Sequence, residues 1–111
     1  MASVTYLKKA QAYIDNNQYF AISKSWCPDC HYLVAILKKY GVLNKFEILE
    51  LDKLKDQKEA FELEKAFTQL SGRKWVPTIW ANGKYFGTEQ DLKKYESLDQ
   101  TEEIFKKNGL L

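Results

Sequence analysis

The stretch YFAISKSWCPDCHYLVAILKKYG, Tyr19 to Gly41, fixes the arrangement around which the rest of the chain is read. Tyr19 to Ser23 is short, mostly apolar and bounded by turn residues, so it reads as a buried strand. From Pro28 onward Leu33, Val34, Leu37 and Tyr40 recur at helical spacing, and Gly41 stops the pattern. A strand therefore hands over to a helix at Cys27 and Cys30, the chain's only cysteines, with its only histidine, His31, beside them.

Upstream, Val4, Leu7, Ala10 and Ile14 predict a first helix, with Ser3 as its N-cap and the polar run Asp15 to Gln18 as its end. Downstream, Phe46 to Asp52 (FEILELD) alternates apolar with polar, the pattern of a strand with one face buried. Ala60, Phe61, Leu63, Phe67 and Leu70 predict a helix of about four turns, closed by Ser71 and Gly72. Val76 to Ala81, the Asn82-Gly83 pair and Lys84 to Phe86 form a hairpin signal, because Asn-Gly takes the positive φ angles of a type I′ turn. Gly87 and Thr88 precede a short helical segment with Leu92 and Tyr95, and a last helix covers about Gln100 to Lys107. The order α-β-α-β-α-β-β-α-α requires a right-handed parallel crossover across the cysteine helix and an antiparallel pair at the hairpin. The expectation is an α/β fold with a four-stranded mixed β-sheet flanked by helices on both faces, in a single domain over residues 1–111.

Composition narrows the function. The 111 residues are 45% hydrophobic and 29% charged, as in a globular protein. Seventeen Lys and Arg against fifteen Asp and Glu give a net +2 with the signs interspersed, so no basic block implies a nucleic-acid partner. No apolar run reaches membrane-helix length, and MASVTYLKKAQAYI lacks a signal-peptide core, so a cytoplasmic address and no membrane partner are the expectations. In a reducing compartment a C-x-x-C pair is catalytic or metal-binding more often than structural.

The cysteine turn suits thiol-disulfide exchange. A free cysteine is only a few per cent thiolate at neutral pH. Placing Cys27 at a helix start aims unpaired N–H groups and the positive dipole end at its sulfur, and Pro28 fits the first helical position. Cys30, one turn further in, can attack a mixed disulfide on Cys27 and release the bound thiol. Two alternatives carry less: burial as small apolar residues does not call for a C-P-x-C turn, and a structural zinc needs four ligands where the chain has two Cys and one His. No metal is expected, and His31 reads as a partly exposed helix residue.

The strings K-S-W-C-P-D-C, G-R-K-W-V-P-T-I and N-G-K-Y-F-G-T-E-Q-D-L, in this order and spacing, resemble the glutaredoxin family of the thioredoxin-like fold. Trp26 and Asp29 narrow the resemblance to the fungal glutaredoxin 8 type, although WCPDC also occurs in a small thioredoxin-related protein. The resemblance implies a glutathione-dependent dithiol oxidoreductase acting, as a monomer, on protein disulfides or glutathionylated proteins. It makes Cys27 the nucleophile, Cys30 the resolving thiol and Pro77 a cis-proline facing Cys27. Val76 then offers its backbone to glutathione as an added strand does. Lys24 meets the glycine carboxylate and favours the thiolate. Gln90 and Asp91 hold the γ-glutamyl end, and Arg73 or Lys74 adds a second cation.

The chain departs from that pattern at four places: Asp29 stands for a usual tyrosine, Trp75 for threonine, Thr88 for a second glycine, and Glu89 for a small cysteine or serine. Glutathione is an anion at neutral pH, so Asp29 and Glu89 predict weakened binding, and Asp29 also opposes thiolate formation at Cys27. Two other readings follow: a disulfide reductase recycled by thioredoxin reductase, and a non-enzymatic iron-sulfur carrier using Cys27 and glutathione from two subunits.

Overall fold

The computed structural model describes residues 2–111. A four-stranded sheet in the order β2-β1-β3-β4 is formed by β1 (Tyr19–Ser23), β2 (Glu47–Glu50), β3 (Thr78–Ala81) and β4 (Lys84–Thr88). β1 pairs parallel with β2 and antiparallel with β3, and β3 pairs antiparallel with β4, giving the mixed sheet expected from the sequence. The helices are α1 (Val4–Asp15), α2 (Pro28–Lys39), α3 (Gln57–Ser71), α4 (Glu89–Ser97) and α5 (Thr101–Lys107), with single 3-10 turns at Leu43–Lys45 and Leu51–Lys53. Among the described residues no helix is long and apolar enough to cross a membrane.

β1 is buried along its whole length and divides two cores. Tyr19 and Ala21 pack with Leu33, Ile36 and Leu37 of α2, Ile79, Leu92 of α4 and Phe105 of α5. Phe20 and Ile22 point the other way, toward Ala10 and Ile14 of α1, Leu63 and Phe67 of α3, and Trp80. Phe67 anchors that second layer, its ring 5.6 Å from Phe20 and 5.5 Å from Trp80. Side chains of a strand alternate between faces, so a strand covered by helices on both sides reads as a continuous apolar run.

Local signals hold the ends of the elements. Ser3 accepts the Tyr6 N–H and Asp56 those of Lys58 and Glu59, while Gly72, at φ 87°, ends α3. Asn82 and Gly83 have φ values of 56° and 79°, the pair of positive angles that the hairpin signal predicts.

Three boundaries differ from the sequence reading. β2 is shorter than Phe46 to Asp52, and it does not bury one face alone: Ile48 packs into the α2 layer and Leu49 into the α3 layer. β3 begins at Thr78, not Val76, because Pro77 has no N–H for a ladder; the Val76–Pro77 peptide is cis. β4 runs past Phe86 to Thr88: a bulge sets Trp80 opposite Tyr85 and Ile79 opposite Gly87, so pairing resumes beyond it.

Candidate active site

The end of β1 delivers the chain through Lys24, Ser25 and Trp26 to Cys27, which is the N-cap of α2, with Pro28 at the start of the helix. Cys27 makes no side-chain capping bond, so the helix tip keeps its positive end at this sulfur. Both cysteines are free thiols. Cys27 is 7% exposed and its Sγ lies 3.9 Å from the Val76 carbonyl, which places the cis peptide against the thiol.

Cys30 lies deeper, at 1% exposure, and its Sγ accepts the Lys24 N–H at 3.4 Å. Burial pushes its thiol up from the ordinary 9.0 to about 11, against the opposing pull of that N–H. The two sulfurs are thus unequal: one at the rim of the site, the other held neutral behind it.

A network absent from the sequence reading braces the loop that leads into Cys27. Asp52 accepts the Ser25 N–H at 2.9 Å and the Ser25 hydroxyl, and these bonds, the hydroxyl first, hold its carboxyl below the ordinary range. His31 donates from Nε2 to the Ser25 carbonyl at 2.6 Å. His31 is exposed, and its visible task is to position this loop. Asp52 stands far along the chain on the turn after β2, where strand periodicity carries no sign of a bond to Ser25.

The other expected site residues surround the pair in different ways. Lys24 Nζ bonds Glu64 of α3 at 3.1 Å and lies 5.8 Å from the Trp26 ring centroid. Trp26 is 65% exposed and rims a groove of about 300 Å³ with Lys24, Leu51, Gln57, Phe61 and Glu64. Neither this groove nor a larger one along α3, about 520 Å³, is lined by a cysteine. Asp29 is half-exposed, 3.7 Å from Lys93 of α4, so a cation accompanies the aspartate between the thiols. Arg73 and Lys74 are exposed, and the Arg73 guanidinium stacks 4.5 Å from the Trp75 ring centroid.

At the start of α4, Gln90 is exposed, while the Asp91 carboxylate accepts the Thr88 N–H at 2.8 Å and Thr88 Oγ1 accepts the Gln90 N–H at 3.2 Å. Asp91 is therefore engaged in a capping box. Gly87, at φ 153°, makes room for it: a Cβ there would stand 2.5 Å from the Asp91 carboxylate. Trp75 donates from Nε1 to Glu89 at 2.5 and 3.1 Å, and Glu89 is 1% exposed. Among the described residues no group of three or more His, Cys, Asp or Glu comes together as a metal site.

Comparison with known proteins bears on the family and the fold. The family model described as glutaredoxin matches residues 20–86. The chain is 36% identical over 107 residues to glutaredoxin-8 of Saccharomyces cerevisiae, covering 96% of each sequence. It superposes on the solution structure of the yeast dithiol glutaredoxin Grx8 with a TM-score of 0.85 and 36% identity, covering 98% of this chain and 99% of that one. A buckwheat glutaredoxin-glutathione complex has the same fold at 20% identity, with a TM-score of 0.80 over 96% of this chain and 93% of that one.

Proposed function

The chain belongs to the glutaredoxin family, and from that premise we propose that it is a dithiol oxidoreductase that reduces protein disulfides and glutathione mixed disulfides, with glutathione returning it to the reduced form. The observation that carries the reading is the placement of Cys27 at the tip of α2 against the Val76 carbonyl, with Cys30 buried behind it.

The Cys27 thiolate attacks one sulfur of the substrate disulfide, the S–S bond breaks, and the departing sulfur takes up a proton. Cys30 then gives up its proton and attacks Cys27, which expels the second substrate thiol and leaves a Cys27–Cys30 disulfide. Two electrons have passed to the substrate. Two glutathione molecules restore the dithiol in two such exchanges and leave as oxidised glutathione. In this reading Lys24 turns from Glu64 to a ligand carboxylate, Arg73 supplies a second cation at the rim, Val76 lends its backbone, and Gln90 and Asp91 face the ligand's other end.

A second reading rests on the occupied start of α4: the same dithiol exchange fed by thioredoxin reductase. One preparation assayed in parallel separates them. NADPH oxidation through glutathione and glutathione reductase, lost in Cys27→Ser, supports the first. Oxidation through thioredoxin reductase alone supports the second. Turnover that survives Cys27→Ser rejects both.

A further inference from the structure

Glu89 is a carboxylate at 1% exposure, a placement that costs free energy unless the charge is met. Two features meet it: the indole N–H of Trp75, at 2.5 and 3.1 Å, and the positive end of α4, of which Glu89 is the first residue. The bond crosses from the loop before cis-Pro77, whose Val76 carbonyl lies 3.9 Å from Cys27 Sγ, to the start of α4, and so joins these two segments beside the thiol. Both partners are pinned. Trp75 is held by the Thr78 hydroxyl on its carbonyl at 2.6 Å and by Arg73 stacked on its ring, and the α4 tip by the Thr88–Asp91 capping box.

The consequence concerns which disulfides reach Cys27. An α4 tip with free N–H groups would welcome a ligand carboxylate. Here Thr88 Oγ1 takes the Gln90 N–H, the Asp91 carboxylate takes the Thr88 N–H, and the Glu89 carboxylate lies at the tip itself. The protein supplies its own anion where a small anionic ligand would place one. The side of Cys27 toward Trp26 is different: an exposed indole and an open groove reach Phe61, which is 60% exposed.

We propose that Trp75 and Glu89 form a latch that closes the space between the Val76 loop and the α4 tip beside Cys27 and makes polypeptide disulfides, which lie across the Trp26 side, better substrates than glutathione mixed disulfides. The proposal rests on the exchange chemistry proposed above and adds the substrate class. Like charge at the closed end disfavours the small anionic ligand, while a polypeptide chain has no need of that end.

The test compares two specificity constants on each variant: kcat/KM for a glutathionylated peptide, with glutathione and glutathione reductase, and kcat/KM for disulfide-bonded insulin, with dithiothreitol. In Trp75→Thr/Glu89→Ser the ratio of the first to the second rises at least about tenfold, equivalent to ~1.4 kcal/mol, through a lower KM for the glutathionylated peptide. Each single change opens the same latch, so the double variant falls short of the product of the singles. Glu89→Gln keeps the side-chain shape and removes the charge. It gives a smaller rise of the same sign and decides the matter if the double variant melts early. A ratio within twofold of the parent in folded Glu89→Gln, or both constants moving together, overturns the latch. A parent protein inactive in both assays overturns the exchange reading instead.

Discussion

Replacing Cys27 with serine isolates Cys30 as the only thiol, and its reactivity with iodoacetamide follows from its burial. A rise from the ordinary 9.0 to about 11, whose largest cause is the burial that Cys27→Ser leaves in place and to which Cys27 itself adds less, lowers the thiolate fraction at pH 7 by up to about a hundredfold. The more basic thiolate is also the better nucleophile: with a Brønsted coefficient of about 0.45, that rise returns roughly eightfold in intrinsic rate. The net slowing is therefore about tenfold relative to an unhindered cysteine peptide, and the 1% exposure of Cys30 multiplies it. The assay is alkylation of the native Cys27→Ser protein followed by mass spectrometry from pH 6 to 11, with the urea-unfolded protein as reference. The rate is at least about tenfold below the reference at pH 7 and still climbing at pH 10. Native Cys30 reacting as fast as the unfolded chain, or a plateau below pH 9, refutes the reasoning. The same property separates the two steps of exchange. Cys30 waits as a thiol until Cys27 carries a bound substrate, so its deprotonation makes the resolving step faster as pH rises.

Other outcomes follow from contacts further out. Glu96 of α4 accepts from Lys39 Nζ at 2.7 Å, Thr101 Oγ1 at 2.6 Å and Tyr40 Oη at 2.5 Å, which together take its carboxyl from the usual 4.5 to about 2. A lowered carboxyl stabilises the fold above its unfolded value and loses that contribution as pH falls from about 4.5 toward 2. Glu96→Gln should cost about 1–2 kcal/mol in urea unfolding at pH 7 and show a flatter decline below pH 5; a variant as stable as the parent at pH 7 contradicts the network. Phe67→Ala removes a fully buried ring from the Phe20 and Trp80 layer and costs about 3–5 kcal/mol by the same measurement. Asp29→Asn raises glutathione-driven turnover about threefold, the factor for a surface-charge interaction of ~0.6 kcal/mol. Lys93→Met, which leaves Asp29 without its cation, lowers it; equal effects of the two changes would sink the charge argument.

What could be read from the chain follows the reach of each signal. β1 is found at Tyr19–Ser23, the hairpin turns at Asn82-Gly83, and Cys27 caps α2 ahead of Pro28, because strand runs, turn chemistry and helix starts are written in neighbouring residues. The strand over Phe46 to Asp52 was harder to read. Its alternation resembles a one-faced strand, but Ile48 and Leu49 meet helices on opposite faces, a fact of tertiary packing. At the site, the residue types were evident and their partners were not. Lys24 with Glu64, Ser25 with Asp52, and Asp29 with Lys93 join residues from separate elements, and only folding brings them together. Trp75 and Glu89 were visible as two departures from the family pattern, and their hydrogen bond makes them one feature.

Trapping the exchange intermediate weighs the roles of the two thiols against each other. A disulfide-bonded peptide is mixed with Cys30→Ser and with Cys27→Ser, quenched in acid, and analysed by intact mass and peptide mapping. The unequal thiols predict that Cys30→Ser accumulates one peptide adduct, mapped to Cys27, and that Cys27→Ser gives none. An adduct on Cys30, or no adduct in Cys30→Ser, contradicts the account.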